Sequence, residues 1–337
     1  MRALINAAAR ADRVPAPSSD AAPFHRSLAG YAPTPVRPLP AVAEELRLRA
    51  VLVKDESDRL GLPAFKVLGA SWAIERALRE HPGTHTLVAA SAGNHGRAVA
   101  HVAARRGLAC RIFLPARSLP ARRRAIGAEG AEVVVVDGSY EDAVARAQAA
   151  GAQPGVLAIA DVGDSGPAHW VIDGYATLFE ELSAQATYDL ILVPVGVGAL
   201  AAAAARHAAQ AGVEVIGVEP VTAACLTASL AAGRPTPVPT PGTTMAGLDC
   251  AEVSRAAWPS LAAGVQATVT VDDDQVSDAV RGLDAAGLAI GESGAAPFAG
   301  LHALVSDPAC STVKAAMIGR GSRVLVVATE GPTGAGG

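Results

Sequence analysis

From residue 50 onward, short unbroken apolar runs alternate with alanine-rich stretches of helical composition. VLVKDE precedes the helical segment after Lys66, TLVAAS precedes NHGRAVAHVAARRG, CRIFLP precedes ARRRAIGAEG, and AEVVVVD precedes YEDAVARAQAAG. LILVPV, GALAAAAARHAAQAG and EVIGVEP continue the series, and RVLVVAT closes it. Runs that are continuously apolar mark strands covered on both faces, so the pattern predicts an α/β fold with mostly parallel sheets flanked by helices. Residues 1–40 are rich in Pro, Ser and Ala without a sustained period and predict an arm ahead of the first packed element.

Ligands of such sheets sit beyond the carboxyl ends of the strands. Four loops at those ends carry the candidate chemistry: Pro63–Lys66, Ser91–Gly96, Gly196–Ala199 and Thr329–Gly331. The 337 residues suggest two domains at roughly 150 residues each, enough to fold without disulfides or metal. A net charge of −4 gives no support to a nucleic-acid binder, and the triplet Arg122–Arg124 reads as a solvated helix face. The four cysteines form no CxxC pair, which excludes a zinc ribbon or a thioredoxin motif. The N-terminus lacks a continuous apolar stretch, and the longest apolar run, Leu190–Ala205, is too short to span a membrane and contains Pro and Gly. The reading is a cytoplasmic protein without a membrane span. His81 and His85 have metal-like spacing, but Pro82 and Gly83 between them argue against a shared helical turn and hence against a metal site.

Chemistry that needs a lysine amine has only Lys54, Lys66 and Lys314 to draw on. Lys66 follows Phe65 and opens a helix; it is either a surface lysine at a helix start or an amine desolvated by its apolar neighbours. Lys54 is flanked by Asp55, Glu56 and Asp58, which would keep it protonated. The loop Ser91–Gly96 turns its amides and Asn94 toward the strand end, or is a structural glycine turn. GVGALA, Gly196 to Ala201, fits a dinucleotide fingerprint with Glu219 as the ribose acid, and equally fits a phosphate loop at a helix N-terminus. Gly291-Glu292-Ser293-Gly294 precedes a helical stretch and supplies capping groups.

In this order the loops resemble the fold type II enzymes that use pyridoxal 5′-phosphate (PLP), the group of threonine dehydratase, serine racemase and cysteine synthase. The likeness runs from about residue 50 to the end. KDESDRLGLPAFKVLGAS, GNHGRAVA, HWVIDGYATL, TTMAGLDCAE, IGESGAA and VATEGPTG look like diaminopropionate ammonia-lyases in particular. The resemblance implies a large PLP-binding domain, 1–85 with 163–337, and a small one, 86–162. It implies Lys66 as the Schiff-base lysine, with Asp161 as a second catalytic residue. Phe65, Asn94, the loop Gly196, Val197, Gly198, Ala199 and Leu200, Glu292, and Thr329 facing the pyridine nitrogen would bind the cofactor. It also implies a homodimer acting on a small amino acid by α,β-elimination to a 2-oxo acid and ammonia. A serine or threonine dehydratase or a β-replacement synthase is the alternative within the fold; an NAD-binding oxidoreductase and a non-catalytic binding protein are the alternatives outside it. One position departs from the pattern: Ala92 stands where the ammonia-lyases carry Asp and serine racemase Ser.

Overall fold

The computed structural model describes residues 2–18, 20–164 and 166–332. Its strands are β1 (Ala3–Ile5), β2 (Val36–Pro38), β3 (Ala50–Asp55), β4 (Thr86–Ala90), β5 (Ala109–Pro115), β6 (Glu132–Val136), β7 (Val156–Ala158), β8 (Leu190–Pro194), β9 (Glu214–Pro220), β10 (Ala267–Val271) and β11 (Arg323–Ala328). The chain forms two compact units, Met1–Phe65 with Tyr175–Thr333, and Lys66–Gly174.

The first unit is built on a seven-stranded sheet in the order β1-β10-β9-β8-β11-β3-β2. Its five inner strands run parallel, as their continuous apolar sequences require, and every residue of β8 and β10 is buried. Residues 2–18 and 20–40 are not an irregular arm. β1 pairs antiparallel with β10, and β2 pairs antiparallel with β3, so two short strands close both edges of the sheet. The physical reason lies in the edges themselves, whose unpaired N–H and C=O groups are satisfied by any extended segment of suitable length. Helix Ala199–Ala211 packs on β8 and β9, and helix Glu292–Ser306 packs on β8, β9, β10 and β11. The core between the sheet and helix Glu292–Ser306 includes Val51, Val53, Leu192, Val218, Val269, Leu301 and Val326.

The second unit is a four-stranded parallel sheet, β6-β5-β4-β7. Helix Lys66–Glu80 packs on helix Asn94–Arg105, which lies on β4 and β5; helix Tyr140–Gly151 packs on β4, β5 and β7. The helix Lys66–Glu80, placed by the sequence in the part ending at residue 85, is thus integral to the second unit. Its first two turns, Val67 to Ile74, are buried all round, with Ala77 beyond them, and its partner here is another helix rather than the larger sheet. Among the described residues no helix is long and apolar enough to cross a membrane.

Candidate active site

The candidate residues fall in both units and are described unit by unit. In the second unit, β4 and β7 are neighbours running parallel, so the loops after them lie side by side. The loop after β4 turns through Ser91, Ala92 and Gly93 into helix Asn94–Arg105, with Asn94 as the first helical residue. Gly96 is required there, because a Cβ at that position would overlap the Ser91 carbonyl oxygen. Asp161 lies three residues past the end of β7, and Lys66 opens its own helix. Lys66 Nζ donates to Asp161 Oδ2 at 3.0 Å, with the two side chains 21% and 15% exposed. Lys66 is therefore not a solvated surface lysine; it is a half-buried amine held by one carboxylate.

His95 completes this cluster. Its side chain is 3% exposed, and because a carbonyl only accepts, Nε2 donates to the Ile159 oxygen at 3.0 Å. Among the described residues Nδ1 has no hydrogen-bond partner; it stands 3.9 Å from Asp161 Oδ2. Burial opposes ionisation of Asp161, but the charges of His95 and Lys66 and the hydrogen bond from Lys66 outweigh it and hold the carboxyl below the usual carboxylate range. The sequence reading passed over His95, because GNHG was read for its glycines and Asn94. A histidine one residue into a helix at a strand end, directly after a candidate cofactor ligand, was the available signal.

In the first unit, Gly196-Val197-Gly198 link β8 to helix Ala199–Ala211, which carries Leu200 in its first turn. Gly198 adopts φ +89°, and a Cβ there would sit 2.6 Å from Leu261 Cδ1. A Cβ on Gly196 would lie 2.7 Å from the Gly247 carbonyl oxygen and 3.0 Å from Cys250 Sγ. No side chain caps this helix, and the first amides of any helix lack intrahelical acceptors. A glycine cradle at an uncapped helix N-terminus is a phosphate site in chemical terms. The neighbouring motifs pack behind it: Gly247 N–H donates to Ser293 Oγ at 3.0 Å, and Gly291 N–H donates to the Glu330 carbonyl at 3.0 Å. Glu292, the first residue of its helix, is half-buried. Thr329 follows β11 at 4% exposure. Its carbonyl accepts the Phe65 N–H at 3.2 Å, and Gly331 N–H donates to the Pro63 carbonyl at 3.0 Å, so the chain leading to Lys66 is stitched to the end of β11. The Phe65 ring packs against Tyr175, with centroids 4.7 Å apart.

The two alternative assignments fail on burial. Lys54 is fully enclosed, donating to the Thr34 carbonyl at 2.8 Å, Glu181 Oε2 at 2.7 Å and Gln185 Oε1 at 2.8 Å. The acid paired with it is Glu181, from helix Pro167–Gln185; of the expected Asp55, Glu56 and Asp58, Glu56 adds its charge in favour of the ammonium. A side chain at a buried position of a central strand pairs with what packs across from it, which local sequence does not reveal. Arg59 shares Glu181 and also grips Glu56 through Nε at 2.8 Å and through Nη2 at 2.6 Å. Glu219, the acid required for a dinucleotide ribose, is 0% exposed. Its oxygens accept from the Leu226 amide at 2.6 Å, the Thr227 amide at 2.8 Å and the Thr227 hydroxyl at 2.6 Å. It caps helix Cys225–Ala232 from within the core, which removes the ribose ligand from the NAD reading.

An amine with a carboxylate counter-ion and a glycine cradle for a phosphate are what a phosphate-bearing aldehyde such as PLP needs from a protein, so the residues present fit that cofactor. A family model described as pyridoxal-phosphate dependent enzyme matches residues 28–330. The diaminopropionate ammonia-lyase of Escherichia coli is 32% identical over 346 residues, covering 92% of this chain and 87% of that protein. The biosynthetic L-threonine dehydratase of the same organism is 31% identical over 277 residues, covering 81% of this chain and 52% of that protein. The crystal structure of the E. coli diaminopropionate ammonia-lyase with an aminoacrylate–PLP azomethine reaction intermediate superimposes with a TM-score of 0.89 at 30% identity, over 98% of this chain and 94% of that one. With the family model, the sequence relatives and the fold all matching over most of the chain's length, the chain belongs to the pyridoxal-phosphate-dependent enzyme family, with a fold of type II.

Proposed function

We propose that this protein is a PLP-dependent ammonia-lyase that carries out α,β-elimination on a small L-amino acid of the 2,3-diaminopropionate kind, releasing a 2-oxo acid and ammonia. The observation that carries the reading is the Lys66–Asp161 pair at 3.0 Å, in a chain 32% identical to a diaminopropionate ammonia-lyase along 92% of its length. PLP, when bound, supplies the electron sink that makes the Cα hydrogen of an amino acid acidic enough to remove.

Lys66 would hold the cofactor, and the amides of Gly196, Val197, Gly198, Ala199 and Leu200 would bind its phosphate at the positive end of a helix. Asn94, Phe65, Glu292 and Thr329 complete the binding set. Thr329 offers a neutral hydroxyl, which would lack the negative charge by which a carboxylate keeps a ring nitrogen protonated; this suits early loss of a leaving group. The Lys66 amine takes the Cα proton, and Asp161 supplies the negative charge that stabilises the resulting ammonium. Held ionised, Asp161 also provides a fixed charge for a substrate that carries a second amino group.

A homodimer in the cytoplasm is part of the same reading, on the ground of the family resemblance, and light scattering tests the dimer. The activity test is a screen of amino acids for 2-oxo acid release by the PLP-loaded enzyme. Pyruvate from L-2,3-diaminopropionate in excess over that from L-serine and L-threonine supports the assignment. Preference for L-threonine makes the protein a dehydratase, and product formation only with an added nucleophile makes it a β-replacement synthase.

A further inference from the structure

We propose that His95 is a positioning residue for the elimination: it anchors the Ile159–Asp161 segment through Nε2 and presents Nδ1 to the Asp161 carboxylate, which fixes that carboxylate against the Lys66 amine. The proposal rests on the roles given above to Lys66 and Asp161, and its evidence is geometric.

The segment bearing Asp161 is held from two directions. Ile159 N–H donates to the Val88 carbonyl at 2.8 Å, extending the pairing of β4 and β7, and the Ile159 carbonyl accepts His95 Nε2 at 3.0 Å. Both anchors belong to the β4–helix unit that carries Ala92 and Asn94, so the backbone two residues before Asp161 cannot shift without breaking one of them. The Asp161 side chain is then fixed by two groups, Lys66 Nζ at 3.0 Å from helix Lys66–Glu80 and His95 Nδ1 at 3.9 Å from helix Asn94–Arg105. Among the described residues, Lys66 and His95 are the groups whose charges act on Asp161. The Tyr140 hydroxyl donates to the Ala90 carbonyl at 3.3 Å, at the end of β4.

With Nε2 committed as a donor, a neutral ring would aim the Nδ1 lone pair at a carboxylate, buried and without a partner. A proton on Nδ1 converts that repulsion into attraction. At 3.9 Å the contact is electrostatic rather than a hydrogen bond, so it stabilises the charge of Asp161 without taking up the oxygen that Lys66 uses.

Two measurements on the cofactor-free chain test this, independently of turnover. In histidine-labelled wild-type protein, 15N spectra read which ring nitrogen keeps its proton. The expected result is Nε2–H in the neutral ring, with the second proton added at Nδ1; a neutral ring bearing Nδ1–H and a bare Nε2 overturns the proposal. In His95→Gln, whose amide retains a donor for the Ile159 carbonyl but gains no charge, 13C spectra follow the Asp161 carboxyl. Its titration midpoint should move to higher pH by at least about one pH unit, the low end of the effect of an opposite charge at this range. In the PLP-loaded variant the acid limb of kcat/KM should move with it while KM changes little. An unchanged Asp161 midpoint overturns the proposal. If the variant fails to fold, the wild-type 15N result still decides. Failure of the lyase reading would show separately, as a wild-type protein that reconstitutes with PLP but releases no 2-oxo acid.

Discussion

Replacing Gly198 by Ala adds one methyl group at the candidate phosphate cradle, and the structure sets its cost. Gly198 lies at φ +89°, ψ 1°, where an L-residue with a Cβ is disfavoured by about 1–2 kcal/mol. The new methyl would also lie 2.6 Å from Leu261 Cδ1, in a fully buried side chain, and forcing an extra methyl into a packed core costs typically about 1–3 kcal/mol. The expected loss is about 2–5 kcal/mol from these two effects together. Gly212 is the internal control. It caps the other end of the same helix at φ +68° with nothing within 4 Å of its Cβ position, so Gly212→Ala should show only the conformational cost, about 1–2 kcal/mol. Urea unfolding of the cofactor-free variants gives the stabilities, and fluorescence titration with PLP gives the affinities. Gly198→Ala should lose more stability than Gly212→Ala and should alone weaken PLP binding, with Gly198→Asp weakening it further by adding a negative charge. Equal stability losses in the two alanine variants would refute the packing argument, and unchanged PLP affinity in Gly198→Asp would refute the cradle.

Because Ala92 has no proton to exchange where the resembling enzymes place Asp or Ser, elimination from L-2,3-diaminopropionate should exceed that from the D-isomer by at least about 10²-fold, the lower end of what a positioned base contributes. Ala92→Asp should gain D-activity; comparable wild-type rates of pyruvate release from the two enantiomers would refute this. Burial pushes the Glu219 carboxyl up to about 7 from its ordinary 4.5, against the hydrogen bonds from Thr227 and Leu226. An acid raised on folding contributes stability that is fully present below its unfolded pKa and is lost as pH rises, here between about 4.5 and 7. Glu219→Gln should flatten the stability profile across that window, as read by urea midpoints, and a variant with an unaltered pH slope would contradict the account.

The architecture was legible wherever burial imposes a one-dimensional pattern. TLVAA, LILVP and RVLVVA are apolar at nearly every position because both faces of a parallel sheet are covered, and each is a strand. The strands that escaped notice carry too little pattern: ALI, VRP and VLA span three residues each. ATVTV in β10 alternates Val with Thr and so imitates a half-exposed strand, yet Thr268 is fully buried, its hydroxyl donating to Thr227 Oγ1, whose own proton goes to Glu219. Lys66 and the glycine loops could be found because strand-end loops are few and their composition is unusual. The Lys54–Glu181 pair could not, since its partners lie 127 positions apart in sequence and meet only through the fold. His95 falls between these cases: its position was in view, but its significance depends on Ile159 and Asp161, which β7 brings alongside β4.

The central claim is that Lys66 carries PLP, and borohydride reduction followed by peptide mapping tests it most directly. PLP-loaded wild-type protein should lose its visible absorbance on reduction and yield the pyridoxyl group on the peptide containing Lys66, whereas Lys66→Ala should bind no reducible cofactor and release no 2-oxo acid. Pyridoxyl label on Lys54 or Lys314, or a Lys66→Ala protein that remains coloured and active, would contradict the account.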